Sequence, residues 1–242
     1  PSAETMLLFN QIRERTGEPA AAAAPPRMVT HVALGQLPTQ TTPFIGRQQE
    51  VTEIGRLLLG EPACRLLNIF GPGGIGKTRL ALAAVTAIRA EYPDGAFFVA
   101  LASIGEAVFI VPAIAEALQF TFFGATDPTE QLIAHLRDKK LLLLLDNFEH
   151  LLDGASLLAT ILHQAPEITV LTTSRTRLHL QEEWVYTVDG LPFPAVHDPS
   201  GALVQPEADL NSYAAIQLFL QRARQTKPGF VPAAEEMAAI GR

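Results

Sequence analysis

The sequence contains one cysteine, Cys64, in 242 residues, which excludes an internal disulfide. We expect Cys64 to pack as a small apolar residue beside the first strand, which suits a reducing cytoplasm. The sequence also lacks a signal peptide and any apolar run of the ~20 residues that a membrane helix needs. Its longest strong run, residues 141–145, has the length of a strand. We therefore expect a cytoplasmic protein that does not associate with membranes.

Basic residues are in the minority, because 18 Lys and Arg oppose 25 Asp and Glu and leave a net charge of -7. Binding to nucleic acid relies on Lys and Arg that displace counterions, so we expect no direct contact with DNA or RNA. The six histidines are scattered without the spacing of metal ligands. Hydrophobic residues make up 48% of the chain, which excludes a disordered acidic segment.

Apolar strand patterns and helical patterns alternate over residues 43–195, which predicts an α/β fold with a central parallel sheet. The predicted strands cover residues 65–70, 96–101, 140–145, 168–173 and 184–188. The predicted helices cover residues 47–59, 77–90, 106–119, 128–137 and 148–163.

The segments on either side of this core differ from it in composition. Segment 1–16 has apolar residues near helical spacing and predicts a helix. Residues 17–42 form a linker rich in Ala and Pro, and the proline-rich stretch 196–210 is a predicted hinge. Helical patterns return over 211–242. Because the first residue is Pro instead of Met, we expect a fragment of a longer protein or a processed one.

A glycine-rich run between a predicted strand and a predicted helix is the most informative motif. It matches G-x-x-x-x-G-K-[ST] and consists of Gly71, Pro72, Gly73, Gly74, Ile75, Gly76, Lys77 and Thr78. Backbone N–H groups of such a loop bind phosphate oxygens, and the helix that begins near Arg79 adds positive charge. Lys77 is expected to bridge the β- and γ-phosphates, and the Thr78 hydroxyl to hold Mg²⁺. A glycine-rich turn without a ligand is the alternative to this predicted nucleoside triphosphate site.

An acidic residue follows the most apolar stretch of the chain. Residues 141–145 are all leucine, and continuous hydrophobicity is typical of a central parallel strand covered on both faces. Asp146 emerges at the carboxyl end of this strand, where it can hold Mg²⁺ through water. The alternative is that Asp146 caps the next helix. Its distance from Lys77 leaves room for one strand between the two motifs.

The residues after Asp146 bear on the rate of hydrolysis. Many fast P-loop ATPases have Glu at the next position as the base that orients water, but Asn147 cannot accept a proton. Glu149 is the nearest substitute, and His150 beside it could tune its acidity. Both residues are equally compatible with an ordinary first turn of a helix. We expect slow hydrolysis, with a turnover below roughly 1 s⁻¹.

Two further segments complete the predicted site. Arg175 follows the strand 168–173 at the same edge of the sheet, where it can reach a γ-phosphate and distinguish ATP from ADP. A surface arginine at the start of a loop is the alternative. Upstream, backbone groups around Ile45 can recognise the edge of adenine, with Phe44 and Ile45 as apolar cover and Arg47 beside them. Taken alone, this upstream stretch is only a Pro/Gly turn into a helix.

In this order, the motifs resemble those of the STAND class of signal-transduction ATPases, relatives of the NB-ARC domains of plant resistance and apoptosis proteins. Residues 44–50 are similar to the adenine motif of that class, 71–78 to Walker A, 141–152 to Walker B and 172–175 to sensor 1. The resemblance covers roughly residues 41–195. It implies a P-loop NTPase core with three α/β/α layers that binds ATP or ADP and Mg²⁺.

The opening residues 1–13 resemble the last helix of a bacterial transcriptional activation domain. This module follows a winged-helix DNA-binding domain in SARP-type, AfsR-like antibiotic regulators, so the resemblance implies a longer regulator with that domain upstream. Gly190, Leu191 and Pro192 resemble the motif of the helical lid, but they directly follow the last predicted strand. We therefore expect residues 211–242 to be only the first helices of a truncated lid, with weaker nucleotide binding or faster nucleotide exchange as a consequence.

The resemblance implies a molecular switch, in which ADP holds a closed state, ATP holds an open one, and the change alters self-association of a transcription regulator. Two alternatives stay open. One is a turnover ATPase of the AAA+ type that remodels DNA or protein. The other is a scaffold that binds nucleotide without hydrolysing it.

Overall fold

The computed structural model describes part of the chain, namely residues 37–60, 64–193, 210–233, 236, 237 and 240. The described residues all belong to one compact unit, which spans Val32–Arg242. No helix in these described ranges is long and apolar enough to cross a membrane.

Several predicted segments lie outside the described residues. They are the helix within 1–16, the linker as far as residue 36, the hinge except residue 210, and most of the last predicted helix. The α/β core and the first helix after the hinge fall almost wholly within the described ranges.

Five parallel strands form one sheet in the order β2-β3-β4-β1-β5. Each predicted strand is present, with ends that differ by at most two residues from the prediction. The strands are β1 Leu66–Phe70, β2 Ala96–Ala100, β3 Leu142–Asp146, β4 Thr169–Ser174 and β5 Glu183–Thr187. Strand β2 lies between the two predicted phosphate-site motifs in sequence, whereas β4 lies between β1 and β3 in the sheet.

Within the described ranges, six α-helices have both ends defined: α1 Gln48–Leu59, α2 Lys77–Ile88, α3 Ile110–Ala117, α4 Pro128–Leu136, α5 Ala155–Gln164 and α6 Ala214–Thr226. The local sequence determines where helix α4 begins. Pro128 occupies its first turn, and the Asp127 carboxylate accepts hydrogen bonds from the backbone N–H groups of Thr129 and Glu130 at 2.8 and 3.2 Å. These are the preferred residues for the first position and the N-cap.

Two hydrophobic cores cover opposite faces of the sheet. Alternate side chains of β3 enter different cores: Leu143 and Leu145 pack with α3, α4 and α5, while Leu142 and Leu144 pack with α1 and α2. All four leucines are fully buried, which confirms the predicted central strand. The result is the predicted three-layer α/β/α fold of a P-loop NTPase.

One predicted helix begins later than expected. The helix predicted from residue 148 begins as α5 at Ala155, after two short 3₁₀ turns, Phe148–His150 and Leu152–Gly154. Asn147 has a left-handed backbone, with φ of 71°, and the Phe148 side chain is fully buried. The chain therefore turns sharply into the core after β3 instead of starting an α-helix there.

Candidate functional site

The glycine-rich loop connects the carboxyl end of β1 to the start of α2, as predicted. Gly74 and Gly76 have φ values of 78° and 96°. A Cβ atom on either residue would meet no other atom within 4 Å, so backbone conformation, and not space, requires glycine here. Left-handed residues of this kind are part of the geometry by which successive N–H groups form an anion-binding concavity.

Lys77 folds back over this loop. Its Nζ donates hydrogen bonds to the backbone oxygens of Gly71 at 2.9 Å and Pro72 at 3.1 Å. Burial lowers the pKa of the Lys77 ammonium from its ordinary value, while the carboxylate of Glu149 opposes that shift. The ammonium thus lies in the loop and within electrostatic range of Glu149.

Three elements meet at the carboxylate of Asp146. Its Oδ1 accepts a hydrogen bond from the Thr78 hydroxyl at 2.7 Å and another from the Thr173 hydroxyl at 2.6 Å. The Thr173 hydroxyl in turn accepts the backbone N–H of Asn147 at 2.9 Å. The ends of β3 and β4 and the start of α2 are therefore tied together. Hydroxyl and carboxylate oxygens are the donor type that Mg²⁺ takes in proteins.

The Arg175 side chain lies across the glycine-rich loop. A Cβ atom on Gly73 would be only 2.9 Å from the Arg175 Cζ, which shows how closely the guanidinium approaches the loop backbone. Arg175 Nε also forms an ion pair with Glu149 Oε1 at 3.0 Å. The structure therefore brings Arg175 to the phosphate loop, as predicted, and pairs it with the candidate base.

The His150 ring is held by backbone oxygens of the loop after β2. Its Nε2 is 3.1 Å from the backbone oxygen of Leu101 and 2.8 Å from that of Ile104. With two carbonyl acceptors, this nitrogen carries the proton and donates it. The Nε2 side of the ring is therefore bound to the loop after β2, and an influence of His150 on Glu149 stays a prediction.

A cleft of about 200 Å³ lies beside the glycine-rich loop. It is lined by Gly73, Gly74, Gly76, Lys77, Thr78, Arg79, Asn147, Thr173 and Arg175. The sequence did not single out the side chain of Thr173 or the backbone of Asn147. The consecutive threonines before Arg175 could have indicated a role for the Thr173 side chain.

The upstream arginine, Arg47, connects three segments. Its side chain is 6% exposed, and its Nη2 donates to the backbone oxygens of Ile75 at 3.2 Å and Asp189 at 2.8 Å. Its Nη1 is 3.4 Å from the Glu50 carboxylate. The predicted adenine segment is thereby linked to the glycine-rich loop and to the chain that follows β5.

Arg79 supports the same segment from the other side. Its Nη2 donates to the backbone oxygens of Thr42 at 3.0 Å and Pro43 at 2.9 Å. Its guanidinium carbon lies 5.9 Å from the centroid of the Phe44 ring, within cation–π range. Phe44 also packs against the core formed with α1 and α2, and Ile45 is half-buried. In this arrangement Arg79 positions residues 42–44.

The start of α6 closes against the same segment. A Cβ atom on Gly46, which has φ of 69°, would lie 2.8 Å from the Cβ of Ala214. The N–H of Ala215 donates to the oxygen of Pro192 at 3.2 Å. A cleft of about 690 Å³ lies here, between the start of α1 and residues 212–214. The roles of Asp189, Pro192 and Tyr213 in this region were not evident from the sequence.

Comparison with known proteins gives several relatives, although no protein-family model matches the chain. An uncharacterized protein of Mycobacterium tuberculosis, Rv0894, is 30% identical over 83% of this chain and 46% of its own length. Rv0890c of the same organism, named as an HTH-type transcriptional regulator, is 33% identical over 73% of this chain and 18% of its own length. The regulatory protein AfsR of Streptomyces griseus is 31% identical over 68% of this chain and 17% of its own length.

The chain therefore spans less than half of the length of these curated relatives. Among solved structures, Cdc6p of Pyrobaculum aerophilum has a TM-score of 0.50 at 17% sequence identity. The match covers 78% of this chain and 52% of that one, and at this identity it concerns the fold alone. The predicted resemblance to AfsR-like regulators and the predicted fold are confirmed.

Proposed function

Because the chain is a homologue of segments of AfsR-like transcriptional regulators and has the fold of a P-loop NTPase, we propose that it is an ATP- and ADP-binding switch domain of such a regulator. The observation that carries this proposal is the convergence of Thr78 and Thr173 on one oxygen of Asp146, directly below the glycine-rich loop. In P-loop NTPases a Ser or Thr of the loop and an Asp at the end of a strand together hold Mg²⁺ beside the phosphates.

The phosphates would bind to backbone N–H groups of residues 73–78, because Pro72 has no N–H and the N–H of Gly71 is donated to the oxygen of Ser174 at 3.2 Å. Lys77 would then exchange the carbonyl oxygens of Gly71 and Pro72 for phosphate oxygens, which are stronger acceptors because they are charged. Thr78 and Asp146 would hold Mg²⁺, which neutralises charge on the β- and γ-phosphates when bound. The described residues contain no cluster of three or more His, Cys, Asp or Glu that could hold a metal, so such an ion would also depend on phosphate oxygens.

The base of the nucleotide would lie against the upstream segment. Ile45 and Phe44 offer an apolar surface, and Arg47 links this surface to the phosphate loop through Ile75. Adenine is the proposed base, in keeping with the resemblance of residues 44–50 to an adenine motif. With its phosphates on the glycine-rich loop and its base on the upstream segment, the nucleotide would be coupled to α6 through the contact between Gly46 and Ala214.

Hydrolysis would be slow. Asn147 occupies the position after Asp146 and cannot act as a base. Glu149, the nearest carboxylate in sequence, is paired with Arg175 at 3.0 Å. A turnover above roughly 1 s⁻¹ would instead favour a remodelling ATPase of the AAA+ type. Nucleotide that stays unhydrolysed over hours would favour the scaffold alternative.

The wider organisation is part of the same proposal. Residues 43–195 would form the ATPase core, 211–242 the first helices of a lid, and 1–16 the end of an activation domain. Self-association on ATP binding would transmit the signal in the cytoplasm, and promoter DNA would be bound by another domain of the parent protein. The net charge of -7 supports the absence of direct DNA contact by this segment.

Calorimetric titration of the chain with ATP, ADP and GTP in Mg²⁺ buffer tests the core of the proposal. We expect saturable binding of ATP and ADP by the wild type, and a loss of ATP affinity of more than about 100-fold in Lys77→Ala. This magnitude follows from two hydrogen bonds to a charged group at about 1.5–3 kcal/mol each.

Lys140→Ala is the matched control, because Lys140 is exposed and lies before β3, at the opposite edge of the sheet. It should bind as the wild type does. Well-folded wild-type protein that takes up neither ATP nor ADP would refute the proposed function.

A further inference from the structure

An ion pair separates the candidate base from the phosphate cleft. Arg175 Nε and Glu149 Oε1 are 3.0 Å apart, and Arg175 is the member of the pair that lines the cleft. The Glu149 side chain is only 14% exposed, whereas that of Arg175 is 61% exposed. The carboxylate is therefore covered, and the guanidinium lies between it and the cleft.

The carboxylate of Glu149 depends on this partner. Its second oxygen, Oε2, is buried and has no hydrogen-bond donor among the described residues. A carboxylate that is removed from water needs a counter-ion or donors. Since its other oxygen is paired with Arg175, loss of the guanidinium would leave Glu149 charged, mostly buried and unpaired.

Arg175 has a second acidic ligand within reach if a triphosphate binds. Its Cζ lies 2.9 Å from the place of a Cβ on Gly73, so the guanidinium already lies over the loop that would cradle phosphates. A planar guanidinium binds phosphate oxygens well, often with two hydrogen bonds. Because its side chain is largely exposed, a change of rotamer needs no rearrangement of the core.

We propose that Arg175 is an exchangeable counter-ion, which pairs with Glu149 when the γ-phosphate is absent and with the γ-phosphate when ATP is bound. The proposal rests on the proposed nucleotide site. Glu149 and the γ-phosphate compete for one guanidinium, so the ion pair lowers the preference for ATP over ADP. Glu149 loses its counter-ion only in the ATP state, which restricts its availability as a base to that state.

A purely structural ion pair predicts something different. In that case Glu149 and Arg175 hold the 3₁₀ turn after β3 against the end of β4, and their loss changes stability without changing nucleotide preference. The two possibilities are separated by the ratio of the dissociation constants for ADP and ATP, which does not depend on stability while the protein remains folded.

The experiment is a double-mutant cycle on this ratio with Glu149→Gln, Arg175→Ala and the double variant. Glu149→Gln should raise the preference for ATP by about threefold, in the range expected for a partly exposed ion pair. Removal of a negative charge also favours ATP in a general way, but that effect persists without Arg175. We therefore expect the part of the increase in ATP preference that is due to competition to vanish when Glu149→Gln is made in the Arg175→Ala background.

Glu182→Gln serves as the control, because Glu182 also pairs with a side chain, His163 at 2.9 Å, but does not line the cleft. It should leave the ratio unchanged. If Arg175→Ala unfolds, Arg175→Gln replaces it in the cycle, and thermal unfolding of each variant checks the fold.

The outcomes separate the two proposals. If the wild type binds neither nucleotide, both proposals are overturned. If it binds both, and Glu149→Gln changes the ratio equally with and without Arg175, only the exchange of the counter-ion is overturned.

Discussion

The phosphate-loop region (residues 71–78, Asp146, Thr173 and Arg175) and the Arg47 region (residues 42–47, 189–192 and 213–214) differ in how they are held together. In the first, side chains at the ends of buried strands and at the start of α2 bond to one another, as Thr78 and Thr173 do with Asp146. In the second, one arginine bonds to backbone oxygens of segments far away in sequence.

This difference has a functional consequence. Strand ends fixed by two hydrophobic cores give the phosphate-loop region a rigid base. The Arg47 region is assembled from connecting segments, which usually open at lower free energy than core strands. We infer that phosphate chemistry depends on the rigid region, and that coupling to α6 depends on the other.

Asp146→Ala should have a larger effect than Arg47→Ala, and that effect should be confined to the phosphate-loop region. It removes the shared acceptor of two threonine hydroxyls and the proposed carboxylate for Mg²⁺. We expect Mg²⁺ to lose its influence on ATP affinity, with a decrease of about 10–100-fold in Mg²⁺ buffer. Calorimetric titration with ATP, in Mg²⁺ and in excess EDTA, measures this dependence.

Asp153→Ala is the control for this variant, since Asp153 is exposed in the 3₁₀ turn before α5. It should retain the wild-type dependence on Mg²⁺. Mg²⁺-dependent affinity that survives unchanged in Asp146→Ala would contradict the assignment of Asp146.

Arg47→Ala should affect the Arg47 region and leave the Mg²⁺ dependence of ATP affinity unchanged. The variant leaves the backbone oxygens of Ile75 and Asp189 without their charged donor, so we expect a loss of about 1.5–3 kcal/mol in the free energy of unfolding. Urea denaturation measures it, with Arg56→Ala as the control because Arg56 is exposed on α1, the helix that follows Arg47. Equal stability of the two variants would show that the Arg47 link contributes little.

The smallest expected effect concerns Cys64. This residue lies just before β1, at the edge of the sheet opposite the phosphate-loop region and the Arg47 region. Burial raises the pKa of its thiol to about 12 from an ordinary value of 9.0. The unfolded chain therefore loses this proton first, and the thiol's contribution to stability, complete below pH 9, is lost as the pH rises toward 12. The loss should be about 1–2 kcal/mol near pH 10, because each pH unit above the ordinary pKa of 9.0 removes about 1.4 kcal/mol.

The measurement is the free energy of unfolding of the wild type and of Cys64→Ala between pH 8 and pH 10. The wild type should lose more stability over this interval, because only its unfolded state releases the thiol proton. Parallel curves for the two proteins would mean that Cys64 ionises equally readily when folded.

Much of the phosphate-loop region was predictable because it follows from local rules. A strand that enters a glycine-rich loop and leaves as a helix is encoded within residues 65–90, and parallel strands bring their carboxyl ends to one edge. Asp146 and Arg175 were expected at that edge for this reason. Whether they hold ligand there stays a prediction.

The pairing of Arg175 with Glu149 could not be predicted, because it depends on a backbone feature that sequence indicates poorly. Asn147 adopts a left-handed conformation, and the chain then forms a 3₁₀ turn in place of the expected helix. That turn places Glu149 beside Arg175 and commits His150 to the loop after β2. A regular helix from residue 148 would have arranged these side chains differently.

The order of residues along this chain was sufficient to specify its class of fold, its strands and the composition of its phosphate loop, since these follow from hydrophobic periodicity and from glycines next to one another in sequence. Only the folded molecule decided which distant groups meet: Arg47 with Asp189, Gly46 with Ala214, and Glu149 with Arg175. Such contacts depend on the angle at which loops leave the sheet. That angle is set by the packing of segments that are separate in sequence, and for Arg47 and Asp189 the separation is 142 residues.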